Sequence, residues 1–440
     1  MRTRANLARL LIAAAAVLGA GASGSESAFY AARRAALMKK MGGGVSVLAG
    51  APDTRAYAPF RQDNDFYYLT GVETPGAFLV LDAGENRTIL FLPPRDRHEE
   101  QWEGARPAGE DQRMDAVLDS SRLESELQRR VKGSAELFLR RQPEETAAVS
   151  RDRAVQHDAA REASPWDGRI SREKALESAL RRRLGDGVRV ADLSLLLDGL
   201  RRVKDSMEIE RLREASRIAA AGLRAAISGA RAGQFEYQLA ALAGFLFRWQ
   251  GAPGDSYFPI VGSGPNSCIV HYHANTRRIE AGDLVVMDYG PDYRYYQADV
   301  TRTFPVSESF SDEQRRVYDV VLQAQKAALA QVRPGATFRD LNRAAREVVD
   351  RAGLGKYWLH GVSHYIGMSA HDVGDSSPLE PGVALTVEPG VYIANQALGV
   401  RIEDTVLVTR DGFENLSGEL PREAADIEKL RRAGPPFRLP

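Results

Sequence analysis

Three of the seven histidines in this 440-residue chain fall in one stretch, HGVSHYIGMSAHDVG, residues 360–374. Imidazole titrates near neutral pH and is a common metal ligand, so His360, His364 and His371 together invite a catalytic or metal-binding reading. Four carboxylates also stand out by their placement. Asp288 ends the apolar run of LVVMDYG, Asp299 lies in YYQADVTRTF, Glu388 in LTVEPGVYI and Glu403 in GVRIEDTVLV. A carboxylate inside an apolar strand is costly to desolvate unless it is paired or bound to metal, and four near one another also repel. Something positive must sit among them.

Two readings meet that demand. In one, Arg302 and Arg401 pair with two of the acids in a buried ion network, or the acids simply face solvent. In the other, the four carboxylates and His364 form an oxygen-rich donor set of charge −4 that matches two divalent cations. Such a set favours Mn²⁺ or related metals over thiolate-type zinc sites. Two ions about 3.5 to 4 Å apart deprotonate a bridging water near neutral pH and polarise a scissile carbonyl, which gives hydrolysis without a serine or cysteine. Competing chemistries lack their motifs. His360 and His364 have the i, i+4 spacing of a helical zinc protease site, but Gly361 stands where HExxH needs glutamate. There is no GxSxG elbow and no GxxxxGK[ST] phosphate loop. Cys268, the only cysteine, excludes an internal disulfide and reads as a small core residue.

The elements that must carry these residues divide into two textures. Short apolar runs punctuated by Gly, Pro and Asp (VSVLAG, DFYYLTG, AFLVLDAG, RTILFLPP) predict strands in the first third, with helical stretches around 113–131 and 171–186. Residues 141–170 are polar and predict a surface excursion. From Asp192 helical periodicity takes over, broken by Gly and Ser into two helices, with further helices at 236–249, 311–331 and 337–352. Strands return at YFPIVG, LVVMDYG, ADVTRTFPV, ALTVEPGVYI and VRIEDTVLVT, so LVVMDYG and ADVTRTFPV as a hairpin would set Asp288 and Asp299 face to face. The fold class is α+β: an antiparallel sheet flanked by helices over residues 200–440, preceded by a smaller α/β domain over 28–190.

Lysine plus arginine and aspartate plus glutamate both number 59, so no basic field advertises nucleic acid. Arg2, Arg4 and Arg9 precede the apolar run Leu10–Leu18 and the small residues Ala20, Gly21 and Ala22, the layout of a signal peptide spanning 1–22. Cleavage there predicts an exported, mildly negative protein, periplasmic or secreted. No later stretch is long and apolar enough to predict a membrane span.

The blocks VGSGPNSCIVHY, MDYG with ADVTRTFPV, HGVSHYIGMSAHDVG, TVEPGVYI and GVRIED occur in an order that resembles the pita-bread metallopeptidases, and within them the aminopeptidase P family. FRQDNDFYYLTGVETPGAFLVL and PRDRHEEQWEGAR look like that family's smaller N-terminal domain. The resemblance implies that Asp288 binds one metal, that His364 and Glu388 bind the other, and that Asp299 and Glu403 bridge both. It further implies that His271 and His371 contact substrate and steady the tetrahedral intermediate, that Glu388 shuttles a proton, and that His360 supports. His273 reads as local structure; Tyr392 and Arg401 also fall near such sites. The implied activity is release of the first residue from peptides with proline second, by a homodimer or homotetramer. Proline's nitrogen has no hydrogen and its φ is fixed, so a preorganised pocket and a general acid are required. Two alternatives stand beside it: a prolidase-like dipeptidase, from which Ser363 leans away, and a non-catalytic peptide-binding module on the same fold. The short segment between His371 and Glu388 leaves the substrate rim undefined.

Overall fold

A computed structural model describes residues 23–54, 57–105, 112–131, 136–143, 147–185 and 187–434. The proposed signal segment, 1–22, lies outside the described residues. The chain divides into two compact units, Met1–Arg141 with Glu173–Leu197, and Gln142–Arg172 with Asp198–Pro440. A single break near residue 190–200 was the sequence expectation; instead the polar segment 142–172 belongs to the second unit. The Ala370 N–H donates to the Ala147 carbonyl at 2.7 Å, and Arg151 pairs with Asp198, which ties the segment down at two points. Among the described residues, no helix is long and apolar enough to cross a membrane.

In the first unit, strands β1 (Val45–Ala49), β2 (Phe78–Asp82), β3 (Arg87–Leu92), β4 (Ala116–Asp119), β5 (Leu137–Leu139) and β6 (Val190–Asp192) form one mixed sheet in the order β4-β3-β2-β1-β5-β6. Val45, Val47, Val80, Ile89 and Phe91 pack under the helices through Leu127 and Leu180. DFYYLTG, expected as a strand, is the helix Asn64–Thr70. Its aromatic residues favour strands, but the Asp63 carboxylate accepts from the Phe66 N–H, and Gly71 at φ 65° closes the other end. The stretch 113–131, expected to be helical, contains β4, then a 3-10 turn at Ser120–Arg122, and is α-helical only over Leu123–Arg130.

The long helical region divides where expected into Ser194–Arg201, which spans the boundary of the two units, and Ser206–Gly229 in the second. Asp205 starts the second helix by a capping box: its side chain accepts from the Glu208 N–H while Glu208 accepts from the Asp205 N–H. All pairings between the strands that follow are antiparallel. They comprise β7 (Gly254–Asp255), β8 (Ile260–Ser263), β9 (Leu284–Asp288), β10 (Pro291–Tyr293), β11 (Tyr296–Gln297), β12 (Thr301–Pro305), β13 (Ala384–Val387), β14 (Gly390–Ile393), β15 (Leu398–Arg401), β16 (Asp404–Val408) and β17 (Phe413–Asn415). Helices Glu236–Trp249, Asp312–Leu329 and Phe338–Arg351 fall close to their predicted ranges, and Leu239, Phe247, Val321 and Leu341 join Val285, Met287, Val387 and Val406 in one core.

Two pairings share one register. Val387 pairs with Asp404 in β13–β16, and Gly390 pairs with Arg401 in β14–β15. Pro389, which has no N–H to give, interrupts the ladder between them. The shared register places Glu388 and Glu403 across from each other in that gap.

Candidate metal centre and substrate cleft

The backbone of the interrupted ladder is anchored outward. The Glu388 N–H donates to the Val362 carbonyl at 2.8 Å and the Glu403 N–H to the Thr301 carbonyl at 3.1 Å; the Glu403 side chain is buried and that of Glu388 is partly exposed to the cleft. Thr301 Oγ1 donates to Glu403 Oε2 at 2.8 Å. In the β9–β12 hairpin the residue facing Asp288 is Thr301, not Asp299. The two aspartates meet instead at the Tyr257 hydroxyl, which lies 2.5 Å from Asp288 Oδ1 and 2.6 Å from Asp299 Oδ1. His364 Nε2 lies 3.4 Å from Glu388 Oε1 and 3.6 Å from Asp299 Oδ2. Its Nδ1 faces the Tyr365 carbonyl at 3.0 Å, which puts the proton on Nδ1 and leaves the Nε2 lone pair for a metal. One ligand atom each from Asp299, His364 and Glu403 lies within 4.8 Å of the others.

Electrostatics separates the two readings of the acids. Arg302 pairs with Asp404 at 2.7 Å and with none of the four. Arg401 pairs with Asp288 at 2.7 Å and spends its other nitrogens on Tyr392 and Thr301. Among the described residues, one guanidinium thus stands against four carboxylates. Burial and the neighbouring Asp288 charge push Asp299 up to about 8, and burial with the Asp299 charge holds Glu388 and Glu403 well above the usual carboxylate range. Burial, then the adjacent His371, lowers His364 to about 3, so its imidazole is neutral at pH 7. Acids that ionise only against added positive charge, beside a neutral imidazole with a free lone pair, fit divalent cations.

His271, His360 and His371 reach the same cleft, a cavity of about 330 Å³ whose lining also includes Tyr257, Phe258, Ser363 and Arg401. The loop carrying His271 is pinned by the buried Glu236 carboxylate, which accepts from Ser263 N, Ser263 Oγ, Tyr272 Oη and Arg277 N at 2.7 to 3.0 Å. His371 stacks on His364. Burial and the charge of Arg153 lower His271, and burial, His271 and Arg153 lower His371, so both are neutral hydrogen-bonding groups at pH 7. His360 Nε2 lies 2.8 Å from the Tyr392 hydroxyl, and burial and Arg401 lower it to about 4. His273 packs beside Phe258 and does not line the cavity. Burial raises the Cys268 thiol, whose neighbour is the Ser267 hydroxyl rather than an imidazole.

Tyr257 and Arg153 escaped the sequence reading. The tyrosine sits in SYFPIVG with nothing to mark its hydroxyl as shared by two carboxylates, and Arg153 sits in the segment taken for a surface excursion.

Comparison with known proteins agrees with this geometry. The profile described as "Metallopeptidase family M24" matches residues 210–410, and that described as "Aminopeptidase P, N-terminal domain" matches residues 30–138. The Xaa-Pro aminopeptidase of Escherichia coli K12 is 32% identical over 430 residues, covering 88% of this chain and 93% of the relative. The Xaa-Pro dipeptidase of Pyrococcus furiosus is 38% identical over 227 residues but covers only 50% of this chain and 65% of the relative. Among solved structures, the proline aminopeptidase P II of Yersinia pestis superposes with a TM-score of 0.78 at 32% identity, covering 93% of this chain and 100% of that one. The architecture shared with it is an α/β N-terminal domain followed by a pita-bread catalytic domain.

Proposed function

Because this chain belongs to the aminopeptidase P branch of metallopeptidase family M24, and is a metal-dependent peptide hydrolase of that branch, we propose that it is an exported exopeptidase with two divalent ions that releases the N-terminal residue from peptides with proline second. The observation that carries this is the convergence of Asp299, His364 and Glu403 on one point, with Asp288 joined to Asp299 through Tyr257 and Glu388 beside His364. A non-catalytic module on the same fold has no need to hold five donors there.

Asp288, Asp299, His364, Glu388 and Glu403 would together hold the two ions. The oxygen-rich set favours Mn²⁺. Such a pair supplies charge to the scissile carbonyl and brings water to hydroxide near neutral pH. The chain's own residues do the rest. Neutral His271 and His371 donate hydrogen bonds to the carbonyl oxygen as it gains charge. Hydroxyl adds to the acyl carbon, the C–N bond breaks, and the proline nitrogen takes a proton. Glu388, beside His364 in the cleft, carries that proton from the attacking water to the nitrogen.

Full-length similarity to an aminopeptidase favours that reading over a prolidase-like dipeptidase, which matches half the chain. Export rests on the arginine-flanked apolar run before residue 23. The exposed aromatic row Tyr237, Phe245 and Trp249 on one helix supports a homodimer or homotetramer.

The test is release of the first residue from Xaa-Pro-Yaa, Xaa-Pro and Xaa-Ala peptides after chelation and readdition of Mn²⁺, Co²⁺ or Zn²⁺. Cleavage of the tripeptide, restored by metal, is expected; activity untouched by complete chelation sinks the scheme, and cleavage of dipeptides alone selects the prolidase reading. N-terminal sequencing of the native protein checks export, and an intact Met1 refutes it.

A further inference from the structure

Residues 147–163 reach the catalytic cleft as one of its walls. Ala148, Ser150 and Arg153 line the cavity together with His271, His371 and the carboxylates. Placement is enforced from both sides: Ala147 is bonded to Ala370, the residue before His371, and Arg151 is held by Asp198. Between these anchors Ser150 begins the helix Arg151–Ala163, and Arg153 falls in its first turn. A cation there opposes the helix dipole, so local preference does not explain it. Arg151, in the same turn, has its carboxylate partner. Among the described residues none pairs with Arg153, which is exposed to the cleft. The acidic neighbour Asp152 is engaged by the Ser150 hydroxyl and does not line the cavity.

Two guanidinium groups therefore belong to the cleft, and they differ in kind. Arg401 is buried and committed to Asp288, Tyr392 and Thr301. Arg153 is available, and its charge is felt at both His271 and His371. The cleft is thus electrically polar: four carboxylates in the interior and one uncommitted cation by the histidines. A short peptide is polar in the same sense, with an ammonium at one end and a carboxylate at the other.

We propose that Arg153 binds the free C-terminal carboxylate of short substrate peptides, so that this enzyme selects peptides whose chain ends inside the cleft. The inference rests on the Xaa-Pro exopeptidase reading above and narrows it to short peptides with an unblocked C-terminus. A planar guanidinium suits a carboxylate through paired hydrogen bonds, which an amide end or a continuing chain cannot supply.

The test compares kcat/KM for one Xaa-Pro-Yaa tripeptide as free acid and as C-terminal amide, in the Mn²⁺-loaded wild-type enzyme, Arg153→Ala and Arg153→Lys. The free acid is expected to be preferred about tenfold, mostly through KM, by the wild type. Arg153→Ala should bring the two substrates to parity, and Arg153→Lys should restore part of the preference. Equal cleavage of acid and amide by the wild type overturns the inference while leaving the peptidase reading intact, as does a preference that persists in Arg153→Ala. Cleavage of neither by the wild type overturns both.

Discussion

His371 lies flat against His364, with ring centroids 3.9 Å apart and the planes 8° from parallel. A proposed metal ligand and a proposed hydrogen-bonding catalyst therefore share one surface, and whatever fixes one ring fixes the other. The fixing group is next in sequence. Asp372 is buried between Lys204 Nζ at 2.8 Å and Arg201 Nη2 at 2.5 Å, and its own N–H donates to the Tyr365 carbonyl that also receives His364 Nδ1. Burial pushes the Asp372 carboxyl up, but Lys204 and Arg201 outweigh it and hold the group below the usual range.

Asp372→Asn should therefore act on turnover as well as on stability. Losing the carboxylate leaves two buried cations without their counter-charge, a cost of about 3 to 5 kcal/mol. In the protein that remains folded, kcat should fall at least tenfold with KM little changed, because His371 no longer holds its angle. Lys204→Met should lower kcat in the same direction. Thermal melts and steady-state kinetics at saturating Mn²⁺ check both; a lower melting temperature with wild-type kcat would reduce the triad to a structural brace.

Tyr257→Phe removes the hydroxyl shared by Asp288 and Asp299 while keeping the ring. Burial and the carboxylates raise the phenol well above its ordinary value, so Tyr257 stays protonated and acts as a donor across the working pH range. Removing such a support to a ligand typically weakens metal affinity 10- to 100-fold. Metal titration followed by calorimetry should show that loss, with activity recovered at higher Mn²⁺. Unchanged affinity would mean the hydroxyl serves the carboxylates only when no ion is bound.

Much of the centre was legible because burying charge is costly: acids at the ends of apolar strands demand a partner, and Asp288, Asp299, Glu388 and Glu403 announce themselves. What pairs with what was not legible. Arg302 was a candidate partner for these acids, yet it serves Asp404, the neighbour of Glu403; adjacent strand residues point to opposite faces, and only register decides which face each meets. DFYYLTG misled because two caps, Asp63 and Gly71, outweigh the strand preference of three aromatics. Polar composition in 141–170 predicts a surface excursion but is silent on which part of the surface the segment borders, so Arg153 needed the fold to be found.

Stability should depend on pH in a way that metal reverses. Asp299 has an ordinary value of 3.8 and is raised to about 8 in the folded protein, and Glu388 and Glu403 move the same way. The metal-free folded state thus binds more protons than the unfolded chain. Their contribution to stability is complete below about pH 4 and is lost as pH rises through about 8. Divalent ions bind the deprotonated acids, so loading with metal removes this loss and is itself stronger at higher pH. At a hundredfold excess over Kd, metal adds about 2.7 kcal/mol. Melts of Mn²⁺-loaded and chelated protein between about pH 5 and pH 8 should show a gap that widens with pH. A gap that stays constant or narrows would mean that these carboxylates are not the ones the ions neutralise, and the ligand assignment would fall with it.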